Sequence, residues 1–387
     1  MTIPVDSLKE GMIFSAPVFI EGENFLVPAG VPIKRKDLDR LALWGIESVQ
    51  TNGKALDPAL IASLKTTAEA AKKEEENKDA AEPEANKGVY RTYMELIERL
   101  DEIINDIKNG LSIETRTIDA ITGRLVKAVR EHRNIIVGYI LGAEVNGFEL
   151  AKSSVNSAIL SYLIAAELKI PNHKMMPIVI GAILHDLGML RLPPELVEKK
   201  GMLSADEIKR MQAHPIYAYK IVKKDLLYQD EISAIVLQHH ERWDGEGYPR
   251  KISGTDISLG ARIVSVADAF EAMVSKKSYR NSMVGYQAMK NLLSDNSSRF
   301  DPAILKAFIQ TMGIYPIGSF IFLNNGALAR VVEVHATAPL RPKIQIITDE
   351  KGNEFTQEDG EFINLLNEKQ LFITKAVDPR EYKPKNA

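Results

Sequence analysis

The residues of this sequence best suited to chemistry are histidines and aspartates placed where apolar helices end. The segment MMPIVIGAIL, residues 175–184, runs directly into His185 and Asp186. Burying an imidazole and a carboxylate at the end of a core helix costs several kcal/mol unless they are paired or hold a cation. For a lone His-Asp pair, a capping Asp beside a satisfied core His is the commoner account. Here the arrangement recurs: His214 stands in MQAHP, His239 and His240 end the apolar run ISAIVLQ, and Asp268 interrupts ARIVSVADAFEAM. Four of the seven histidines fall in this pattern, whereas His132, His173 and His335 lie in polar or strand contexts that suit a surface role. A His and Asp set suits Fe, Mn, Zn or Ni, and an Asp adjacent to a His can bridge two ions. More than four ligands imply more than one metal. Two ions a few ångströms apart hold a hydroxide between them and clamp the attacking and leaving oxygens at phosphorus, which is the chemistry of phosphoester hydrolysis.

Composition bounds the setting. The chain has 387 residues, 45% of them apolar, enough for two or three domains with a sizeable core. A formal charge of -3 provides no global basic field, so a nucleic-acid polymer is not an expected partner. Cysteine is absent, which excludes disulfides, thiolate metal sites and cysteine nucleophiles and fits a cytoplasmic setting. No apolar run reaches the ~18 to 20 residues of a membrane span, and the start MTIPVDSLKEGM lacks the order of a signal peptide.

The elements that must position these residues are mainly helical. Residues 1–53 read as a small α/β module, with MIFSAPVFI and NFLVPAGVPI as strands and KRKDLDRLALWGI as a short helix. Residues 54–88, rich in Ala, Lys and Glu, have little to bury and read as a flexible linker. From 89 to 312 the pattern is helical, with a capping box at Ser204 and Glu207 and a cap at Asp301-Pro302. Residues 313–377 carry SFIFL, ALARVVEVHA and KIQIITD, expected as strands of a small β extension, and 378–387 form a tail. The expected fold class is therefore mainly α, a helical bundle flanked by a small N-terminal α/β module and a small C-terminal β extension.

HDLG at 185–188, His214, HHERWDGEGYP at 239–249, ARI at 261–263 and VAD at 266–268, in this order and spacing, resemble the HD-GYP subfamily of HD phosphohydrolases. The likeness covers about residues 140–312 and is specific, because the long GYP string is nearly unbroken. It implies a helical bundle with two or three divalent metal ions, usually iron or manganese, and hydrolysis of cyclic di-GMP to pGpG or onward to GMP in a bacterial second-messenger system. By the same resemblance, His185, Asp186 and Asp268 would hold one metal, and Asp186, His214, His239 and His240 its neighbour, with Asp186 as the bridging ligand. Lys277 and Arg280, in SKKSYR, fall where the family places cations for the substrate phosphates. Asp244, Gly245, Gly247, Tyr248 and Pro249 would form the GYP loop, shaping the substrate entrance and offering contacts to protein partners. A homodimer is left open.

The sequence departs from that family at three points. Ser153, in FELAKSSVNSAIL, stands where a ligand histidine is usual, and Glu149 lies four residues earlier, where a subset of the family has a Glu that supports a third metal. Met189 replaces a usual lysine, and Glu271 stands where a second aspartate is common. One oriented donor at the transition state counts for ~3 kcal/mol, on the order of a hundredfold in rate. Three readings follow: a cyclic di-GMP phosphodiesterase, a weakened or inactive HD-GYP domain that binds the nucleotide or a partner protein, or a hydrolase of another nucleotide, since HD folds host several phosphohydrolase activities.

Overall fold

Two short antiparallel sheets flank a long succession of helices. The computed structural model describes the chain except residues 1, 13, 17, 21–23, 28–32, 36–37, 39–40, 42–45, 47, 56–83, 143–146, 200, 276–282, 295–297, 357–358 and 379–387. Residues 56–83 of the expected linker, residues 379–387 of the expected tail and most of the expected helix over 34–46 fall outside the described residues, while residues 84–88, expected as linker, already belong to the helix Glu84–Lys108. The chain divides into two units, Met1–Pro83 and Glu84–Ala387.

In the first unit, β1 (Thr2–Pro4), β2 (Val18–Ile20), β3 (Asn24–Val27) and β4 (Ser48–Thr51) form an antiparallel sheet of order β1-β4-β2-β3. The alternation of MIFSAPVFI and NFLVPAGVPI anticipates β2 and β3, whereas β1 and β4 were not expected. Ile3, Phe14, Val18, Val27, Ile33, Leu41 and Val49 close this small core.

The second unit opens with α1 (Glu84–Lys108) and α2 (Thr115–Gly142). In α1, Tyr93, Leu96, Ile97, Leu100, Ile104 and Ile107 recur at helical spacing and are buried. Next come α3 (Glu149–Glu167), α4 (Asn172–Leu184), α5 (Pro194–Val197), α6 (Ala205–Met211), α7 (His214–Lys220), α8 (Asp230–Gln238), α9 (Leu259–Val274), α10 (Gly285–Ser294) and α11 (Pro302–Met312). Central among them is α3, buried at Ala151 and throughout 153–165, so apolar and small polar residues surround its axis on every side. It packs against α1, α2, α4, α9 and α11.

Both expected caps are formed. Ser204 Oγ accepts from the Glu207 N–H at 3.3 Å while Glu207 Oε2 accepts from the Ser204 N–H at 2.7 Å, and Asp301 Oδ1 accepts from the Ala303 N–H at 2.9 Å. One expectation needs correction: His214 does not end the capped helix, because α6 stops at Met211 and His214 begins α7 with Pro215 in its first turn. Beyond α11, β5 (Phe320–Leu323), β6 (Leu328–Glu333), β7 (Lys343–Thr348), β8 (Phe362–Asn364) and β9 (Ile373–Val377) form an antiparallel sheet of order β8-β7-β6-β5-β9. Its core gathers Ile321, Leu323, Ala329, Val331, Ile344 and Leu365. Among the described residues, no helix is long and apolar enough to cross a membrane.

Candidate metal centre

The polar cluster is assembled by helices that approach closely one turn below it. Ile235 on α8 fills a notch between α4 and α9, where a Cβ at Gly181 or Gly260 would lie 2.6 or 2.4 Å from its side chain. Gly181 precedes His185 by one helical turn and Ile235 precedes His239 by one turn, so this packing draws the C-terminal ends of α4 and α8 together. After His185 the chain turns into a 3₁₀ segment, Leu187–Arg191, that lies against the start of α7. A Cβ at Gly188 would fall 1.9 Å from the His214 carbonyl oxygen, so only glycine allows the approach that brings Asp186 to His214.

The resulting geometry gathers the expected residues around the Asp186 carboxylate. Its Oδ1 lies 3.2 Å from His214 Nε2 and 3.9 Å from His239 Nε2, while its Oδ2 lies 3.5 Å from His185 Nε2. Asp268 Oδ1 is a further 3.5 Å from His185 Nε2. His240 completes the first side, with its ring centroid 4.2 Å from that of His239 and 4.9 Å from that of His214. Two groups with metal-ligand spacing result, Asp186 with His214, His239 and His240, and His185 with Asp186 and Asp268, each with ligand atoms within 4.8 Å of one another.

The fit to a cation follows from the donor inventory. His185, His214 and His239 each place Nδ1 on the carbonyl oxygen three residues back, of Ala182, Met211 and Val236, at 2.7, 2.8 and 2.7 Å. Nδ1–H donates there, which turns each Nε2 toward the cluster, where a neutral ring offers it as a lone pair. His214 Nε2 and His239 Nε2 stand 3.3 Å apart, two acceptors facing each other. His185 Nε2 is buried without a hydrogen-bond partner, since its carboxylate neighbours are beyond good hydrogen-bond length. The account of a satisfied core His beside a capping Asp therefore does not hold, and Asp186 makes no side-chain capping bond either. A shared positive charge answers all of these open lone pairs.

Electrostatics point the same way. Burial, then the neighbouring imidazoles, hold His239 and His240 well below the ordinary histidine value, as neutral ligand-competent rings. At Asp186, burial acts upward but His185, His214 and His239 outweigh it and hold the carboxyl well below the usual range. Asp268 is lowered in the same sense, burial being outweighed by His185. Burial pulls His185 downward, yet Asp186 and Asp268 push it up to about 9. With the Asp186 and Asp268 carboxylates ionised and the His239 and His240 rings neutral, the site favours cationic charge.

The GYP loop borders this cluster. Tyr248 stacks on His240 with centroids 4.8 Å apart, and its N–H donates to the His240 carbonyl at 3.2 Å. Asp244 accepts from Arg242 Nε and Nη2 at 3.0 and 2.6 Å and from Ser298 Oγ at 3.0 Å. Buried Glu241 accepts from the Arg250 N–H at 2.6 Å, and Gly247 passes so close that a Cβ would meet the Arg242 nitrogen at 2.4 Å. Gly245 takes the left-handed turn at φ +82, and the Tyr248–Pro249 peptide is cis. Trp243 donates its N–H to the Arg299 carbonyl at 2.8 Å and carries Arg262 over its ring, tying the loop to the segment before α11.

Neither ligand group includes the remaining expected residues. Ser153 Oγ donates to Glu271 Oε2 at 2.6 Å, and Glu271, fully buried, also accepts from Ser275 and from Asn156 Nδ2 at 3.3 Å. The serine hydroxyl is thus turned to a carboxylate on α9. Glu149 is exposed in the first turn of α3, outside both ligand groups. Met189 sits half-buried in the 3₁₀ segment, and Lys277 and Arg280 lie outside the described residues. Arg299, half-buried beside the loop, was not among the expected site residues; a single Arg in a polar stretch has no periodicity to mark it.

Residues 141–304 match the HD domain family, and residues 320–385 match the KOW domain associated with HD domain. A cyclic di-GMP phosphodiesterase of Pseudomonas aeruginosa is 28% identical over 63% of this chain and 58% of its own length. A cyclic di-GMP phosphodiesterase of Borreliella burgdorferi is 26% identical over 68% of this chain and 69% of its own. A 3'3'-cGAMP-specific phosphodiesterase of Vibrio cholerae is 32% identical over 33% of this chain and 24% of its own. The chain thus spans just over half the length of the first of these relatives and about two thirds of the second.

Proposed function

Because the chain carries an HD domain over residues 141–304, followed by an HD-associated KOW domain, we propose that it is a metal-dependent phosphodiesterase acting on cyclic di-GMP. The observation that carries the reading is the two-sided Asp186, whose Oδ1 faces His214 and His239 while its Oδ2 faces His185. In this reading His185, Asp186 and Asp268 hold one divalent ion, of iron or manganese, and Asp186, His214, His239 and His240 hold the other. When bound, such a pair supplies Lewis acidity and the hydroxide nucleophile for opening a phosphodiester. The protein's own residues fix His185, His214 and His239 in one tautomer through the Ala182, Met211 and Val236 carbonyls, keep His239 and His240 neutral by burial, and set Tyr248 at the edge of the cluster.

A second reading has its own support. Ser153 gives its hydroxyl to Glu271, so the side formed by His185, Asp186 and Asp268 has three ligand residues, one fewer than its neighbour. That favours a domain that binds a cyclic dinucleotide and releases product slowly or not at all. Incubating the Mn- or Fe-supplied chain with cyclic di-GMP, and separately with 3'3'-cGAMP, distinguishes the two. Release of pGpG or GMP that disappears in Asp186→Ala supports the enzyme. Binding without release supports the receptor, and turnover of cGAMP alone replaces the substrate.

A further inference from the structure

The cations around the GYP loop are not equivalent. Arg242 is held by Asp244 through two hydrogen bonds, and Arg262 is paired with Asp301 at 2.6 Å. Among the described residues, Arg299 has no such partner. Its Nε is buried without a hydrogen bond, no carboxylate among the described residues lies within ion-pair distance, and its guanidinium rests over the Phe300 ring, 5.0 Å from the centroid. Its backbone is fixed by the Trp243 N–H, and the preceding Ser298 is fixed by Asp244. The side chain therefore projects from a braced position. Its backbone partner Trp243 stands three residues past the ligand His240, in the loop whose Tyr248 stacks on that ring, and the Arg299 charge acts on both His240 and Tyr248.

A half-buried guanidinium without an acceptor is costly, and its planar fork matches the oxygens of a phosphate. We propose that Arg299 binds the phosphate of the substrate at the edge of the metal cluster, donating to non-bridging oxygens of the group to be cleaved. The role rests on the phosphodiesterase reading for its substrate, but its chemistry, recognition of a phosphate, is testable without turnover. Burial, and then the Arg242 charge, lower the Arg299 pKa, while Asp268, Tyr248 and Asp244 act in the other direction. A guanidinium remains charged under these conditions.

The test is titration of the full, Mn-loaded chain with inorganic phosphate, followed calorimetrically, with cyclic di-GMP kinetics in parallel. Arg299→Gln keeps the backbone carbonyl used by Trp243 and removes an unpartnered charge, so metal content should be that of the wild type and the thermal midpoint no lower. Phosphate affinity should fall about ten- to a hundredfold, the loss expected for one charge-assisted contact. Arg299→Lys, which keeps the charge but not the fork, should recover part of it. In the kinetics, the KM for cyclic di-GMP should rise more than kcat falls, a split that a merely structural role would not produce. Undiminished phosphate binding in Arg299→Gln, no measurable phosphate binding by the wild type, or loss of metal in both variants overturns the assignment. Phosphate binding through Arg299 without hydrolysis of cyclic di-GMP leaves the assignment standing and removes the proposed reaction.

Discussion

Replacing Ser153 by alanine separates two roles that its position allows, metal ligand and hydrogen-bond donor. Ser153 is 6% exposed and Glu271 is 0% exposed, and the 2.6 Å bond between them satisfies Glu271 Oε2. Removing the hydroxyl takes a donor from a buried acceptor and costs about 1.5–3 kcal/mol where that acceptor is charged. At ~2–4 °C per kcal/mol for a domain of this size, the thermal midpoint should fall by roughly 3 to 12 °C. The assay is thermal unfolding of wild type and Ser153→Ala, with and without a chelator, together with metal content. Because the hydroxyl faces Glu271, the variant should keep its metals and lose stability equally in both conditions. An unchanged midpoint would refute the Ser153–Glu271 argument, and loss of metal would show that the serine is a ligand. By the same reasoning Ser153→His should be destabilised as well, since an imidazole must enter a closed space and leaves Glu271 short of a donor.

Two further outcomes follow from local geometry. In Gly188→Ala the new methyl would meet the His214 carbonyl, so α7 must move away from the 3₁₀ turn; a loss of ~1–3 kcal/mol in stability together with weaker metal retention is expected, and wild-type behaviour in both would contradict the close approach. Glu207, lowered to about 2 by Lys199 and by the Ser204 backbone N–H, has a depressed folded value, so its contribution is present above the ordinary carboxylate range and is lost as pH falls toward about 2. The midpoint difference between wild type and Glu207→Gln, which retains the cap but not the charge, should therefore be steady at neutral pH and vanish in acid; a difference that grows in acid contradicts it.

How much of the centre was legible in the sequence depended on locality. His185, Asp186, His239, His240 and Asp268 are visible because each breaks an apolar run, and a polar residue inside a core pattern is a signal within a few positions. The helical region was readable through periodicity and caps, and the GYP loop through its resemblance to the HD-GYP subfamily. His214 was found as a candidate but assigned to the wrong helix end, because only Gln212 and Ala213 separate α6 from α7. Strands β1, β4, β8 and β9 have three to five residues and find their partners through pairing rather than pattern. The Ser153–Glu271 bond joins residues 118 apart, and nothing near either end announces it. Arg299 acquires its meaning only when Arg242 and Arg262 are seen to be paired and it is not.

The central claim, a two-metal centre bridged by Asp186, is tested most directly by counting metal per chain in wild type, Asp186→Ala and His185→Ala after reconstitution with Mn or Fe under anaerobic conditions. The account predicts about two ions in the wild type, loss of both in Asp186→Ala, and retention of one in His185→Ala, because Asp186 with His214, His239 and His240 remains complete. Asp186→Ala retaining the wild-type metal content, or His185→Ala and Asp186→Ala losing the same single ion, would contradict it.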